Sequence, residues 1–166
     1  PEKYHLNNYE KSKKFFQICI KNNLTNFIFS STGSVYGNLS SKNFLENQAT
    51  SPINPYSESK LKTENFLNDI HQNKNLKAVS LRYFNVAGSD KMLRTGLMTN
   101  PDNLIKAICE FIVGKRKQFI INGNDYNTKD GTTIRDFIHV VDLANIHFLI
   151  SKKLLNLKDN HYDLYN

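Results

Sequence analysis

Tyr56 and Lys60 stand four positions apart in Pro55-Tyr56-Ser57-Glu58-Ser59-Lys60, and of all the side chains in this 166-residue chain they are the best placed to do proton chemistry. On a helix, residues so spaced share a face, which brings the ammonium near the phenol. A free phenol has a pKa of about 10, so at pH 7 only about one in a thousand is ionised, a handicap of roughly 4 kcal/mol for a base. An adjacent ammonium is expected to lower that pKa by about 1 to 3 units, and a cationic cofactor ring would add to the effect. A hydroxyl from Thr32 can then share the proton between the phenolate and a substrate alcohol. The bare Tyr-x-x-x-Lys pattern is common on helix surfaces. Here it lies between two strand exits, Ser30-Ser31-Thr32-Gly33-Ser34-Val35-Tyr36-Gly37 upstream and Leu81-Arg82-Tyr83-Phe84-Asn85 downstream, and the combination points to an enzyme that moves a hydride.

These residues need a frame. Residues 7–22 read as an amphipathic helix with Tyr9, Phe16 and Ile20 among its apolar positions, and Asn22-Asn23 breaks it. Residues 26–31 read as a short buried strand, 33–55 as a loop rich in Ser, Asn and Pro, and 56–71 as a helix carrying Tyr56, Leu61, Leu67 and Ile70. A strand follows at 78–84, then a long irregular segment at 85–102. Leu104, Ile108, Phe111 and Ile112 mark the buried stripe of a helix closed by Gly114. A short strand is expected at 119–121, extended chain at 134–140, a helix on Leu143, Ile146, Leu149 and Ile150, and a last strand at 162–165. Strand alternating with helix argues for an α/β fold with a parallel sheet. In such sheets ligands bind outside the carboxyl ends of the strands, where this chain concentrates Ser30-Ser31-Thr32 and Asn85.

Composition narrows the class further. With 39% apolar residues and no run approaching the roughly 18 to 20 needed to cross a bilayer, the expectation is a soluble, cytoplasmic protein without membrane partners. The net charge of +7 is spread over scattered lysines, and the densest cluster, Gly114-Lys115-Arg116-Lys117, is short, so no nucleic-acid partner is expected. Only four of the 22 basic residues are Arg, which draws attention to Arg82 and Arg135 as sites needing a planar fork. Cys19 and Cys109 sit in apolar helical patterns and read as buried, reduced thiols; no metal site is expected. The chain begins at Pro1 and stops at Asn166 directly after an apolar extended segment, which reads as a fragment.

Together these strand exits, the Tyr56/Lys60 pair and the segment Gly123-Asn124-Asp125-Tyr126-Asn127-Thr128-Lys129-Asp130-Gly131-Thr132-Thr133-Ile134-Arg135-Asp136-Phe137-Ile138-His139-Val140 resemble the extended short-chain dehydrogenase/reductase family, and within it the UDP-glucose 4-epimerases, over essentially the whole chain. The resemblance implies part of a Rossmann-like, doubly wound parallel sheet plus part of a smaller substrate-binding C-terminal domain. Residues 1–85 would be the C-terminal part of the NAD-binding domain, and 86–166 a substrate-binding region interleaved with returning Rossmann elements at 134–140 and the helix after it.

The resemblance also assigns roles. Tyr56 would be the catalytic base, Lys60 would bind the nicotinamide ribose and tune Tyr56, and Thr32 would fill the catalytic hydroxyl position and touch substrate. Tyr83 and Asn7 would lie at the NAD cofactor, while Asn85, Asn103, Leu104 and Arg135 would hold the uridine diphosphate of a UDP-hexose. Asn103 also reads as a helix cap, Arg135 as a candidate ion pair with Asp136, and His139 as a support of the fold. The implied reaction is NAD-dependent interconversion of UDP-glucose and UDP-galactose through a 4-keto intermediate, carried out by a homodimer pairing through the helices at 7–22 and 56–71.

Thr32 is followed by Gly33 and Ser34, not by the acidic pair that related 4,6-dehydratases use to eliminate water. None of the seven glycines forms the Gly-rich turn that receives the NAD pyrophosphate in this family, so the isolated chain is expected to hold NAD poorly. Asn122 replaces an aromatic residue that some members set against uracil, and the segment 89–100, with Arg94 and Met98, carries no assignment. Two alternatives stay open: a non-catalytic remnant or fragment, and an NAD-dependent epimerase of N-acetylated UDP-sugars.

Overall fold

The computed structural model describes residues 1–38, 43–72, 75–97 and 103–166. Met98, in the unassigned segment, lies outside them. The described residues form two compact units, one of Pro1–Phe84 with Asn145–Asn166 and the other of Asn85–Ala144.

The first unit is built on a three-stranded parallel sheet in the order β1 (Asn26–Ser30), β2 (Lys77–Leu81), β5 (His161–Tyr165), with Phe29 opposite Ser80 and Ser80 opposite Leu164. Alternate residues of a strand face opposite sides, and the sequence uses both. Phe27, Phe29 and Ala78 point to one side, where they pack with Phe16 and Ile20 of α2 (Lys11–Lys21) and with Phe66, Leu67 and Ile70 of α3 (Pro55–His71). Ile28, Val79 and Leu81 point to the other, against Ile146, Ile150 and Leu154 of α5 (Val140–Asn156). Helices on both faces of a parallel sheet make this the α/β arrangement expected from the alternation, in the doubly wound form that the resemblance implies.

The helix expected at 7–22 is less regular than its pattern suggests. It opens with α1 (Glu2–Tyr4), passes through a π-helical stretch at His5–Glu10 and only then becomes the α-helix α2. The wider turn is held from outside: Asn8 Nδ2 donates to Ser59 Oγ at 3.2 Å, and Thr63 Oγ1 donates to the Asn8 carbonyl at 3.0 Å. Such single wide turns are frequent at functional sites.

The second unit pairs β3 (Asn85–Ala87) with β4 (Phe137–His139) in parallel and carries α4 (Leu104–Ile112). Three sequence expectations fail here. Residues 85–87, read as irregular, form a strand because Phe137–His139 offers them an edge, a long-range pairing with no local signature. Residues 119–121 are not a strand; Ile120 and Ile121 are 62% and 64% exposed and have no strand beside them among the described residues. The extended run at 134–140 shrinks to three residues, since Val140 already begins α5. His139 supports the fold as expected: its Nδ1 accepts from Val141 N at 3.2 Å, and its ring leaves no room for a Cβ at Gly88.

Both cysteines are free thiols, but only Cys19 is partly covered. Cys109 is exposed, because its turn of α4 faces a cavity within this unit instead of a packed core.

Candidate active site

Helix α3 starts where its sequence says it should. Asn54 keeps an extended backbone and its side chain accepts from Ser57 N at 2.9 Å, while Pro55 takes the first helical position, where its missing N–H costs nothing. Tyr56 therefore stands in the first turn and Lys60 one turn further along the same face.

The Thr32 hydroxyl lies beside the Tyr56 phenol and favours its ionised form, while its own side-chain hydrogen bond, at 2.8 Å, is with Ser34 Oγ. Thr32 is itself placed by the short 3₁₀ turn at Gly33–Tyr36, accepting from Ser34 N at 3.2 Å. Tyr83 belongs to the same neighbourhood, its carbonyl taking a bond from Gly33 N at 3.0 Å, and Tyr4 sets its ring edge-on to Tyr56 with centroids 6.0 Å apart.

The electrostatics reverse one expectation. The Tyr56 phenol is pushed above its ordinary range, chiefly by burial and then by the neighbouring Tyr83, with the Thr32 hydroxyl opposing them. The Lys60 ammonium does not offset this. It donates to the Ser30 carbonyl at 2.7 Å and lies over the Phe29 ring, 4.9 Å from its centre, while the Tyr56 ring centre is 5.8 Å away. Burial in turn lowers the pKa of Lys60.

Asn7 sits in the π-helical stretch, exposed, and accepts from Lys11 Nζ at 2.7 Å. Thr32, Tyr56, Lys60 and Tyr83 are thus brought together in the first unit. Asn7 shares the unit, but its side chain is engaged along its own helix.

The other candidates belong to the second unit. Asn85 donates through Nδ2 to the Asp136 carbonyl at 2.9 Å. Asn103 caps α4, accepting from Lys106 N at 3.3 Å, and Leu104 opens that helix 39% exposed. Arg135 is exposed and donates to Thr133 Oγ1 at 3.1 Å; it does not pair with Asp136. A cavity of about 510 Å³ in this unit is lined by Val86, Gly88, Asn103, Lys106 and Cys109 among others, so of the four candidates Asn103 alone contributes to its wall.

Sequence reasoning missed Glu64. It follows Tyr56 and Lys60 at the same four-residue interval and is 2% exposed, where it holds Arg82 in a forked ion pair with Nη2 to Oε2 at 2.6 Å. The repeat of that interval was the available signal. Among the described residues no cluster of side chains could hold a metal ion, and no helix is long and apolar enough to cross a membrane.

A parallel sheet covered on both faces, with a tyrosine, a lysine and a threonine gathered at a strand exit, places the molecule in a known class. The chain belongs to the NAD dependent epimerase/dehydratase family, whose sequence profile matches residues 1–165. Within that class it is similar to the UDP-glucose 4-epimerase of Azospirillum brasilense, 45% identical over 150 residues that cover 90% of this chain and 43% of the relative. The crystal structure of UDP-glucose 4-epimerase from Bifidobacterium longum in complex with NAD+ and UDP matches all of this chain and 50% of its own, at 34% identity and a TM-score of 0.87. The UDP-Glc/GlcNAc 4-epimerase of Campylobacter jejuni matches at 36% identity and a TM-score of 0.72, again over all of this chain and 50% of its own. The chain spans about half the length of these relatives.

Proposed function

We propose that the protein is an NAD-dependent UDP-hexose 4-epimerase that interconverts UDP-glucose and UDP-galactose. The observation that supports this reading most directly is the gathering of Thr32 and Tyr56 at the exit of β1, with Lys60 one turn further along the same helix face and bonded to the Ser30 carbonyl.

The donor set suits a nicotinamide ribose. An ammonium has three N–H donors, and the bond from Lys60 to Ser30 uses one, so the others can meet a vicinal diol. Tyr56 is 37% exposed and so accessible to a ligand. NAD, when bound, would supply the hydride acceptor and donor for carbon 4 of the sugar. Tyr56 takes the 4-hydroxyl proton through or beside Thr32 and later gives it back, leaving a 4-keto sugar between the two steps. Burial keeps this phenol mostly protonated, and the neighbouring Thr32 hydroxyl is the group that favours its ionised form.

Asn85, Asn103 with Leu104, and Arg135 are assigned to the uridine diphosphate, Arg135 through its fork, and Tyr83 and Asn7 to the cofactor side. Residues 1–85, with α5 and β5 returning to their sheet, then serve NAD binding, and the rest of 86–166 the substrate. Pairing of two copies draws support from the exposed Phe15 and Ile18 on α2, 59% and 61% open. The similarity to a relative named for both UDP-Glc and GlcNAc keeps N-acetylated UDP-sugars as a second reading.

The test is conversion of UDP-galactose to UDP-glucose by the full-length product of the gene, supplied with NAD. Tyr56→Phe should lower turnover by about 10²- to 10⁴-fold while UDP binding persists. Near-normal turnover in that variant would overturn the assignment.

A further inference from the structure

Three consecutive residues at the exit of β1 each meet a different turn of α3. Lys60 Nζ donates to the Ser30 carbonyl at 2.7 Å, Ser31 Oγ donates to Glu64 Oε1, and Thr32, its hydroxyl bonded to Ser34 Oγ at 2.8 Å, lies beside the Tyr56 phenol. Glu64 thus holds the residue immediately before Thr32.

A carboxylate this deeply buried needs a partner, and Arg82, 5% exposed, supplies it from the residue after β2. Its Nε lies 3.1 and 3.2 Å from the two carboxylate oxygens, and Nη2 lies 2.6 Å from Oε2. The other arm of the fork, Nη1, donates to the Tyr36 hydroxyl at 2.9 Å. That hydroxyl in turn reaches Asn166 Oδ1 at 2.8 Å, beyond β5. One network, buried at its centre, therefore ties α3 to the exits of all three strands, and among the described residues no buried side-chain polar atom is left without a partner.

An apolar pair of the same volume would pack at least as well, so burial alone does not explain the choice of ions. What ions and a hydroxyl provide is direction: the Ser31 proton can point only at Glu64, which fixes the backbone leading into Thr32. We propose that Glu64 and Arg82 are positioning residues for the reaction, aiming Thr32 at Tyr56 through Ser31. This rests on the reading of Tyr56 as the base.

Ser31→Ala is the sharpest test, because it removes one hydroxyl and leaves the ion pair intact. The readout is the titration of the Tyr56 phenol in the protein without cofactor, followed by NMR of ¹³C-labelled tyrosine and assigned with Tyr56→Phe. The midpoint should move up, in the direction that Thr32→Val moves it. Turnover of UDP-galactose should fall about 10- to 100-fold with KM within about twofold. Glu64→Gln should shift both readouts the same way. An unchanged Tyr56 titration in Ser31→Ala, with only the unfolding temperature altered, would overturn the inference and leave a structural network. If Glu64→Gln fails to fold, Ser31→Ala still decides. Absence of epimerase turnover in the parent would sink the proposed function, while the titration would still decide this point.

Discussion

The Lys60 ammonium bonds the carbonyl of Ser30 at 2.7 Å and stands 5.8 Å from the centre of the Tyr56 ring. The residue spaced to activate the phenol is therefore held by backbone, and the influences acting on Tyr56 are burial, Tyr83, Thr32 and Tyr4.

From this follows an expected pattern of titration in the protein without NAD. The Tyr56 phenol should titrate above the ordinary 10.0, Thr32→Val should raise the midpoint further by removing the one group that lowers it, and Lys60→Met should leave it nearly unmoved. NMR of labelled tyrosine reads all three. A large upward shift in Lys60→Met would show that the ammonium acts on the phenol directly.

Asn54 secures the first turn of α3 through its bond to Ser57 N, and Tyr56 lies inside that turn. Asn54→Ala should cost about 1 kcal/mol in urea unfolding. Turnover should also fall more than stability requires, since the turn that frays is the one carrying the phenol. Asn54→Ser, which keeps a capping oxygen, should recover both.

Gly37 closes the 3₁₀ turn with φ 69° and ψ −145°, and a Cβ placed there would lie 2.0 Å from the Ser51 carbonyl oxygen. Backbone cannot retreat as a flexible side chain can. Gly37→Ala should therefore destabilise the protein by roughly 2 to 4 kcal/mol, measured by thermal or denaturant unfolding. At Gly33 the clash is with the Phe84 ring, which is 40% exposed and able to swing away, so Gly33→Ala should cost less.

Burial pushes the Tyr162 phenol up to about 12, with its bond to Ser80 opposing and the Glu64 charge adding to the rise. The folded state holds this proton more tightly than the unfolded chain, whose tyrosines titrate near 10. The contribution to stability is thus fully present below about pH 10 and is lost as pH rises towards 12, by about 2 to 3 kcal/mol. Tyr162→Phe should flatten the fall of unfolding temperature across that window.

How much of this was legible beforehand depended on the range of the cause. Helix α3 was readable because its cap, its proline and its apolar stripe are all local, and the parallel α/β architecture followed from alternation. The strand at Asn85–Ala87 was not, because only its partner fifty residues later makes it one. The apolar run at 119–121 misled for the converse reason: it has strand composition and no strand beside it. Residue types and spacing singled out Tyr56, Lys60 and Thr32, which the fold brings into one neighbourhood, and the scarcity of arginine singled out Arg82. Spacing could not say that the backbone would capture Lys60, nor that Glu64 would be buried against Arg82, since both depend on how α3 lies across the end of β1.

The buried pairing of Glu64 with Arg82 has an evolutionary corollary. Because a matched apolar pair would hold the same space with equal or greater stability, selection for hardiness alone would tend to erase the ions. Lineages that still need the reaction should keep both charges together, and lineages released from it should drift towards sturdier, oilier cores at these two positions, so that the pair itself becomes a marker of a working site.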